Sequence, residues 1–238
     1  MESARWIGVE LNQRQLNNLS LYEELLSEAH KVTNFTRVPR EQCWARHFLD
    51  SLVLVPMIPP GARLLDIGSG AGFPGAVIGI VRSDVKVTCL DSSQRMTSFL
   101  EKVFGTTGPL PVLYQVVQNR AELAAHDINF RESFDFVTGR ALAPFPIQIE
   151  LSAGFVSLGG LFVPLRTPQE KKEVESFPAH ILGLSLEKVE MVEVPEVLPE
   201  RMLPVFVKTA HTAKHYPRRW AQMKSKPLGK VPPKSAKV

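Results

Sequence analysis

Two carboxylates and a tight run of glycines are the residues here whose types and spacing could do chemistry. The stretch LLDIGSGAGFPG, residues 64–75, holds Asp66 and four glycines within twelve positions. Gly68, Gly70 and Gly72 can take positive φ and let ligand atoms reach backbone N–H groups. Asp91 ends a second apolar run, KVTCLD, 25 residues after Asp66. A carboxylate at such a strand tip can accept hydrogen bonds from both hydroxyls of a ribose, at roughly 1.5–3 kcal/mol for each charge-assisted bond. Asp66 beside the turn would repel a pyrophosphate. The dinucleotide spacing G-x-G-x-x-G is also broken, since Phe73 stands at its last position. A cationic, phosphate-free nucleoside fits better, and S-adenosylmethionine is one. For Asp66 a structural role, holding loop amides, reads as well as ligand contact does.

Positioning these groups requires strands that end near 67 and 91, with helices between them. RLLDI (63–67), KVTCL (86–90), VLYQVV (112–117), FDFVTGR (134–140) and LFVPL (161–165) read as strands one to five. Pro74 suits the first position of a helix running to Arg82, and Ser92 or Ser93 suits the cap of QRMTSFLEKVF. PIQIELSAGFVSL reads as a helix ended by Gly159 and Gly160. PQEKKEVESF reads as an exposed helix, and LSLEKVEMVEV with RMLPVFVKTA as a closing strand pair. Repeated βα units with a terminal pair predict an α/β domain over 61–210, an open and mostly parallel sheet. Before it, 1–60 predicts a helical N-terminal extension with helices over 16–32 and 42–55, stopped by Pro59 and Pro60.

The net charge of +4 conceals an asymmetry: Lys208 to Val238 carry nine Lys or Arg and no acid, so the remainder is net −5. A basic end on an acidic body points to an anionic partner. Residues 211–238, low in apolar content, predict a disordered tail that orders only on its RNA or on the assembled subunit. There Lys214, Arg218, Arg219, Lys224 and Lys226 would meet phosphates, while Tyr216 and Trp220 would stack on bases. Cys43 and Cys89 in apolar contexts read as reduced buried thiols, the six histidines lack metal-ligand spacing, and no apolar run reaches the roughly 18 residues of a membrane span. With no signal-peptide pattern at the N-terminus, a cytoplasmic monomer is the expectation. His47, Asp50 and Ser51 imitate a hydrolase triad, yet they share one helix face and no G-x-S-x-G elbow exists. Arg46 and His47 fit a pocket mouth or an RNA contact as well as helix packing.

After strand four comes GRALAPF, which lacks the Asn/Asp-Pro-Pro-aromatic turn associated with methylation of exocyclic amines. No paired cysteines serve carbon methylation. A ring nitrogen such as guanine N7 carries a free lone pair and needs no proton removed, so alignment and charge stabilisation would suffice.

W-A-R-H-F-L-D-S at 44–51, D-I-G-S-G-A-G-F-P-G at 66–75, L-D-S-S at 90–93, R-A-E at 120–122, R-A-L-A-P at 140–144 and Y-P-R-R at 216–219 occur in order. Together they resemble the bacterial 16S ribosomal RNA guanine-N7 methyltransferase family, also called glucose-inhibited division protein B. The resemblance implies a class I, Rossmann-like methyltransferase fold. It implies S-adenosylmethionine-dependent methylation of one guanine in small-subunit RNA, as naked RNA or in the subunit, the guanine being exposed or flipped. It also implies cofactor contacts from Gly68, Phe73, Asp91, Ser92, Ser93, Ala121, Glu122 and Arg140. The chain departs from the family at P-L-R-T, 164–167, where A-L-K-G is more usual; Arg166 keeps the positive charge expected to face RNA. It departs again at Asn34 to Thr36 and at Trp220. A methyltransferase for protein or a small metabolite, a NAD-dependent oxidoreductase and a non-catalytic RNA-binding protein are the alternative readings.

Overall fold

The computed structural model describes residues 4, 7–32, 35–36, 38–110, 115–194 and 197–229. Seven strands form one sheet: β1 Arg63–Ile67, β2 Lys86–Asp91, β3 Gln115–Gln118, β4 Phe134–Thr138, β5 Val156–Phe162, β6 Leu184–Val194 and β7 Leu198–Lys208. Their order is β3-β2-β1-β4-β5-β7-β6. The first five run parallel to one another, whereas β7 runs antiparallel to both β5 and β6. The order reverses beside β1, so the glycine turn leaves β1 at the switch point where open α/β sheets take ligands. Residues 112–114 of the expected third strand lie outside the described residues.

Both faces of the central strands are buried, as parallel strands require. Successive side chains alternate between two cores. Leu64, Val87 and Phe136 pack into one, whereas Leu65, Leu90 and Val137 pack into the other. Helices α1 Gln13–Val32, α2 Gly75–Val81 and α3 Gln94–Phe104 cover the first face. Helices α4 Ala121–Ala124, α5 Phe145–Ala153 and α6 Lys171–Ser176 cover the second. A short α7, Trp220–Ser225, follows the sheet.

The N-terminal helices share the first core with the sheet. Tyr22 on α1 is fully buried; its hydroxyl donates to the carbonyl of Ala71 inside the glycine turn. Its ring contacts Phe48, Phe73, Phe99 and Phe104. Gly72 has φ +98°, and a Cβ there would lie 2.5 Å from the Tyr22 hydroxyl. The expected second helix forms irregularly, as a 3₁₀ turn Arg40–Gln42, a π-helical stretch Trp44–Leu49 and one α turn Asp50–Leu52.

Several boundaries differ from expectation for local reasons. Helix α5 stops at Gly154, and Gly159 and Gly160 lie inside β5, which begins five residues earlier than the apolar run LFVPL suggests. Pro74 is the N-cap of α2 rather than its first helical residue. Ser93 is the N-cap of α3 without a side-chain cap; the Asp91 carboxylate instead accepts its N–H at 2.8 Å.

The expectation of a disordered tail fails for residues 211–229, which dock on the second face; residues 230–238 lie outside the description. Composition misleads because polar anchors hold this segment. The Arg131 guanidinium donates to the carbonyls of Thr212, Ala213 and Tyr216, and the Lys208 ammonium donates to the Ala153 carbonyl. Arg218 makes a bidentate pair with Glu150, whose side chain is fully buried. Met223 of α7 is buried against Ile147 and Leu151.

Two stability predictions follow. Arg218→Ala leaves the Glu150 carboxylate buried without its partner and should cost about 3–5 kcal/mol in urea unfolding, with Glu150→Gln plus Arg218→Ala recovering part of it. A surface-like change below about 1 kcal/mol would show that the tail is not anchored there. Asp66, fully buried under the glycine turn, accepts from Gly75 N at 2.7 Å, while its other oxygen has no partner. Burial pushes its carboxyl up from 3.8 to about 7, against the opposing pull of the Gly75 amide and Arg140. The folded form therefore holds this proton more tightly, and stability from it is lost as pH rises from about 4 through 7. Asp66→Asn should gain stability relative to the parent between pH 5 and pH 8; a constant difference across that range contradicts the assignment.

Candidate active site

The glycine turn is pinned across the tips of β1 and β2. Gly68 and Ser69 donate to the Leu90 carbonyl at 2.8 and 3.2 Å. Asp91 Oδ2 accepts from Gly70 N at 2.8 Å, while Oδ1 takes Ser93 N. Each carboxylate oxygen has a second lone pair, and Asp91 is half-buried, so it can still accept from a bound ligand. A pocket of about 300 Å³ opens above these tips. Gly68, Asp91, Ser92, Ala121 and Glu122, all among the residues expected to contact a cofactor, line it. Gly70, Gly72, Phe73 and Ser93 do not reach its wall; they shape the turn and the start of α3. Asp66 is a correction to the expected cofactor set: fully buried on the Gly75 amide, it cannot touch a ligand or repel a phosphate as a free surface charge.

The sequence missed Asn119, Leu142, Leu151 and Trp220 on the same wall. Trp220, assigned to RNA stacking, belongs to the docked tail and lies with the Arg120 guanidinium 5.7 Å from its ring. Asn119 and Arg120 directly precede Ala121 at the tip of β3, a position the strand-end rule could have found.

A second pocket, about 530 Å³, lies beside the first. The segment 140–144 at the exit of β4 serves both. Leu142 lines the first pocket, and Arg140, Ala141, Ala143 and Pro144 line the second. Ala141 has φ +52°, a conformation that an L-residue keeps only under constraint. Gly68 has φ +68°, and a Cβ there would lie 2.5 Å from Leu142 Cδ1, so only glycine admits this close approach.

The constraint comes from Asp50. Its side chain is 2% exposed, with Oδ2 on Arg140 Nη1 at 2.8 Å and Oδ1 on Arg201 Nε at 2.5 Å. Arg140 also donates to the Arg46 carbonyl at 2.9 Å and to His47 Nδ1 at 3.0 Å. A guanidinium only donates, so Nδ1 accepts, and Nε2 carries the proton it gives to Thr36 Oγ1 at 2.6 Å. Burial first, then the Arg140 charge, lowers the His47 ring to about 4, so it is neutral at physiological pH. The ring stacks on Phe73 at 4.4 Å, with Arg140 5.5 Å from the same Phe73 ring. Arg46, His47 and Arg140, separated by up to 94 residues, thus meet in one pocket. The apparent triad dissolves: Asp50 pairs with arginines, and Ser51 Oγ donates to the His47 carbonyl.

Among the residues expected to meet RNA, Arg46, Lys214, Arg219, Lys224 and Lys226 are exposed, and Tyr216 is half-buried. Two are corrections. Arg166 is 7% exposed and bonds to the Ala143 carbonyl, Gln148 and Glu170. Arg218 is committed to Glu150. Neither is free for phosphate, because each neutralises or saturates a group inside the fold. No group of three or more potential metal ligands occurs among the described residues.

Comparison with known proteins agrees with this geometry. The model of the family described as GidB, rRNA small subunit methyltransferase G, matches residues 15–203. Proteins named ribosomal RNA small subunit methyltransferase G from Lachnoclostridium phytofermentans and Desulfitobacterium hafniense are each 34% identical, over 233 and 225 residues. The alignments cover 96% of both chains in the first case and 93% in the second. A methyltransferase structure from Pyrococcus furiosus shares the class I fold, with a TM-score of 0.51 and 15% identity over 80% of this chain and 96% of that one. The kinship spans the glycine turn, both pockets and the strands that carry them, and the chain belongs to the rRNA small subunit methyltransferase G family, GidB.

Proposed function

We propose that this enzyme transfers the methyl group of S-adenosylmethionine to N7 of a guanine in 16S ribosomal RNA. The observation that carries the reading is the pair of pockets meeting at residues 140–144, one acid-tipped and one arginine-lined. The first pocket fits the cofactor by its donor set. Asp91 offers acceptors for ribose hydroxyls, and Gly68 brings bare backbone to the floor. Bound there, S-adenosylmethionine supplies a methyl group on a sulfonium that leaves as a neutral thioether, so the positive charge passes to the methylated ring. Asp91 orients the nucleoside, Trp220 closes the outer wall, and Leu142 separates the two pockets.

The acceptor side is built for a nucleophile that needs no base. His47 is neutral but spends both nitrogens on Arg140 and Thr36. Asp50 is saturated by two arginines, and Glu170 is held by Arg166. Neither His47 nor Asp50 is free to remove a proton, and the lone pair of guanine N7 needs no such base. Arg140 donates three hydrogen bonds and keeps two of its five N–H donors without a partner among the described residues, so it can hold an acceptor on the base. Exposed Arg46, Lys214, Arg219, Lys224 and Lys226 supply phosphate contacts. One chain furnishes every wall of both pockets, so a monomer suffices; no helix among the described residues is long and apolar enough to cross a membrane. A ribosomal substrate implies work in the cytoplasm.

The direct test offers labelled S-adenosylmethionine with naked 16S RNA, with intact small subunits and with bulk protein, followed by chain cleavage at 7-methylguanosine. Label should enter RNA at one guanine; label in neither RNA form defeats the proposal. Asp91→Ala should weaken cofactor binding by about 10- to 100-fold in calorimetric titration (roughly 1.4–2.8 kcal/mol) while RNA affinity holds. An unchanged titration refutes its role.

A further inference from the structure

We propose that Glu170 reads the target base, accepting from guanine N1–H and N2–H, and that this contact tightens as methylation proceeds. The inference rests on the guanine-N7 reading above and adds the residue that selects the base.

The arginine-lined pocket contains two carboxylates, Asp50 and Glu170. Asp50 is closed to ligand, with a side chain 2% exposed and an arginine on each oxygen. Glu170 is open, with 27% of its side chain exposed. It stands on the turn after β5, held from below. Arg166 pairs with Oε1, while Thr167 N and Oγ1 reach Oε2 at 3.2 Å each. Those contacts fix the carboxylate, fill both lone pairs of Oε2 and leave one lone pair on Oε1. A fixed carboxylate oxygen with one lone pair open can be shared by two adjacent N–H groups on one edge of a base. Guanine presents N1–H and N2–H side by side, whereas adenine has an unprotonated N1 there and would face the carboxylate lone pair to lone pair.

The opposite edge of guanine carries O6 and N7, both acceptors. The unused Arg140 donors can hold O6 while N7 stays free. Arg140 leaves the tip of β4 beside Ala141 and Leu142, where the pockets join, whereas Glu170 enters from the β5 side. A base held between them shows N7 to the junction and N1 and N2 to Glu170. The pocket's 530 Å³ is within the range of small-ligand sites and accommodates a flipped nucleotide.

The same contact has a kinetic consequence. When N7 takes the methyl group the ring becomes cationic, and its N1–H and N2–H become stronger donors. A carboxylate on that edge binds the transition state more tightly than the ground state, which raises kcat. Glu170 is thus a specificity and positioning residue whose removal lowers kcat beyond any rise in KM.

The test is a double-substitution cycle on protein and base. Wild type and Glu170→Gln are assayed on 16S RNA carrying guanosine or inosine at the target; inosine keeps N7, O6 and N1–H but lacks the 2-amino group. Gln is nearly isosteric and retains one oxygen for Thr167, and thermal melting checks the fold. Wild type should prefer guanosine by about tenfold or more in kcat/KM, as expected for loss of a hydrogen bond to a charged group. Glu170→Gln should lower kcat at least tenfold on guanosine and bring the preference within about twofold of unity. A wild type indifferent to inosine overturns the proposal whatever the variant does, and so does a variant with the full wild-type preference. Methylation of guanosine RNA at N7 under either result leaves the general reading standing; its absence in wild type overturns both.

Discussion

The structure depends on one buried carboxylate. Asp50 lies on an irregular helical segment, and water is almost wholly excluded from it. A charge in that position is costly unless each oxygen is paired in good geometry. Its partners, Arg140 and Arg201, stand 90 and 151 residues away, at the exit of β4 and on β7. The pair therefore forms only when the N-terminal segment, the central sheet and the antiparallel hairpin are all in place. Once formed, it fixes Arg140, and Arg140 fixes the turn that follows. Ala141 takes a left-handed φ, Leu142 settles against bare Gly68, and the two pockets are separated at that point.

The glycine turn is gripped from both sides by unlike forces. Asp91 holds its outer face by hydrogen bonds to Gly70 and Ser93. Aromatic packing holds its inner face, with Phe73 stacked against both His47 and Tyr22 and edge-on to Phe48. Such ring pairs contribute about 0.5–1.5 kcal/mol each beyond the area they bury. The N-terminal helices therefore act as a clamp on the ligand-binding turn. The turn can hold its three positive-φ glycines in one conformation because aromatic rings occupy the space beneath it.

What was legible in the sequence follows from the range of the interactions. The pocket at the tips of β1 and β2 was legible because its signals are local: an apolar run, an acid, glycines at alternate positions, and a second acid at the next strand tip. For Asp66 the sequence left ligand contact and the holding of loop amides equally open; the fold turns it inward onto the Gly75 amide, a direction no spacing rule encodes. The acceptor pocket was legible only in part. Arg46, His47 and Arg140 stood out, but their union through Asp50 and Arg201 is a long-range fact. The basic tail shows the converse: its composition is that of a disordered segment, yet Arg218 finds Glu150, 68 residues away, and Arg131 binds three of its carbonyls. Pairing across such distances leaves no trace in local composition.

Charge balance in the acceptor pocket links these features to turnover. Four arginines and two carboxylates line it, with His47 neutral between them. The net positive potential draws an RNA phosphate in. It also opposes the ring cation that methyl transfer creates, since two unit charges 4 Å apart repel by about 4 kcal/mol at an effective dielectric constant of 20. A pocket with arginines alone would raise the barrier by part of that amount. Glu170 offsets it locally on the edge of the base, while the arginines still favour departure of the cationic product over the neutral substrate. A protonated His47 would add another positive charge beside Arg140. Burial against Phe73, which holds the ring to a pKa of about 4, thus also keeps the pocket from becoming too positive for the reaction it surrounds.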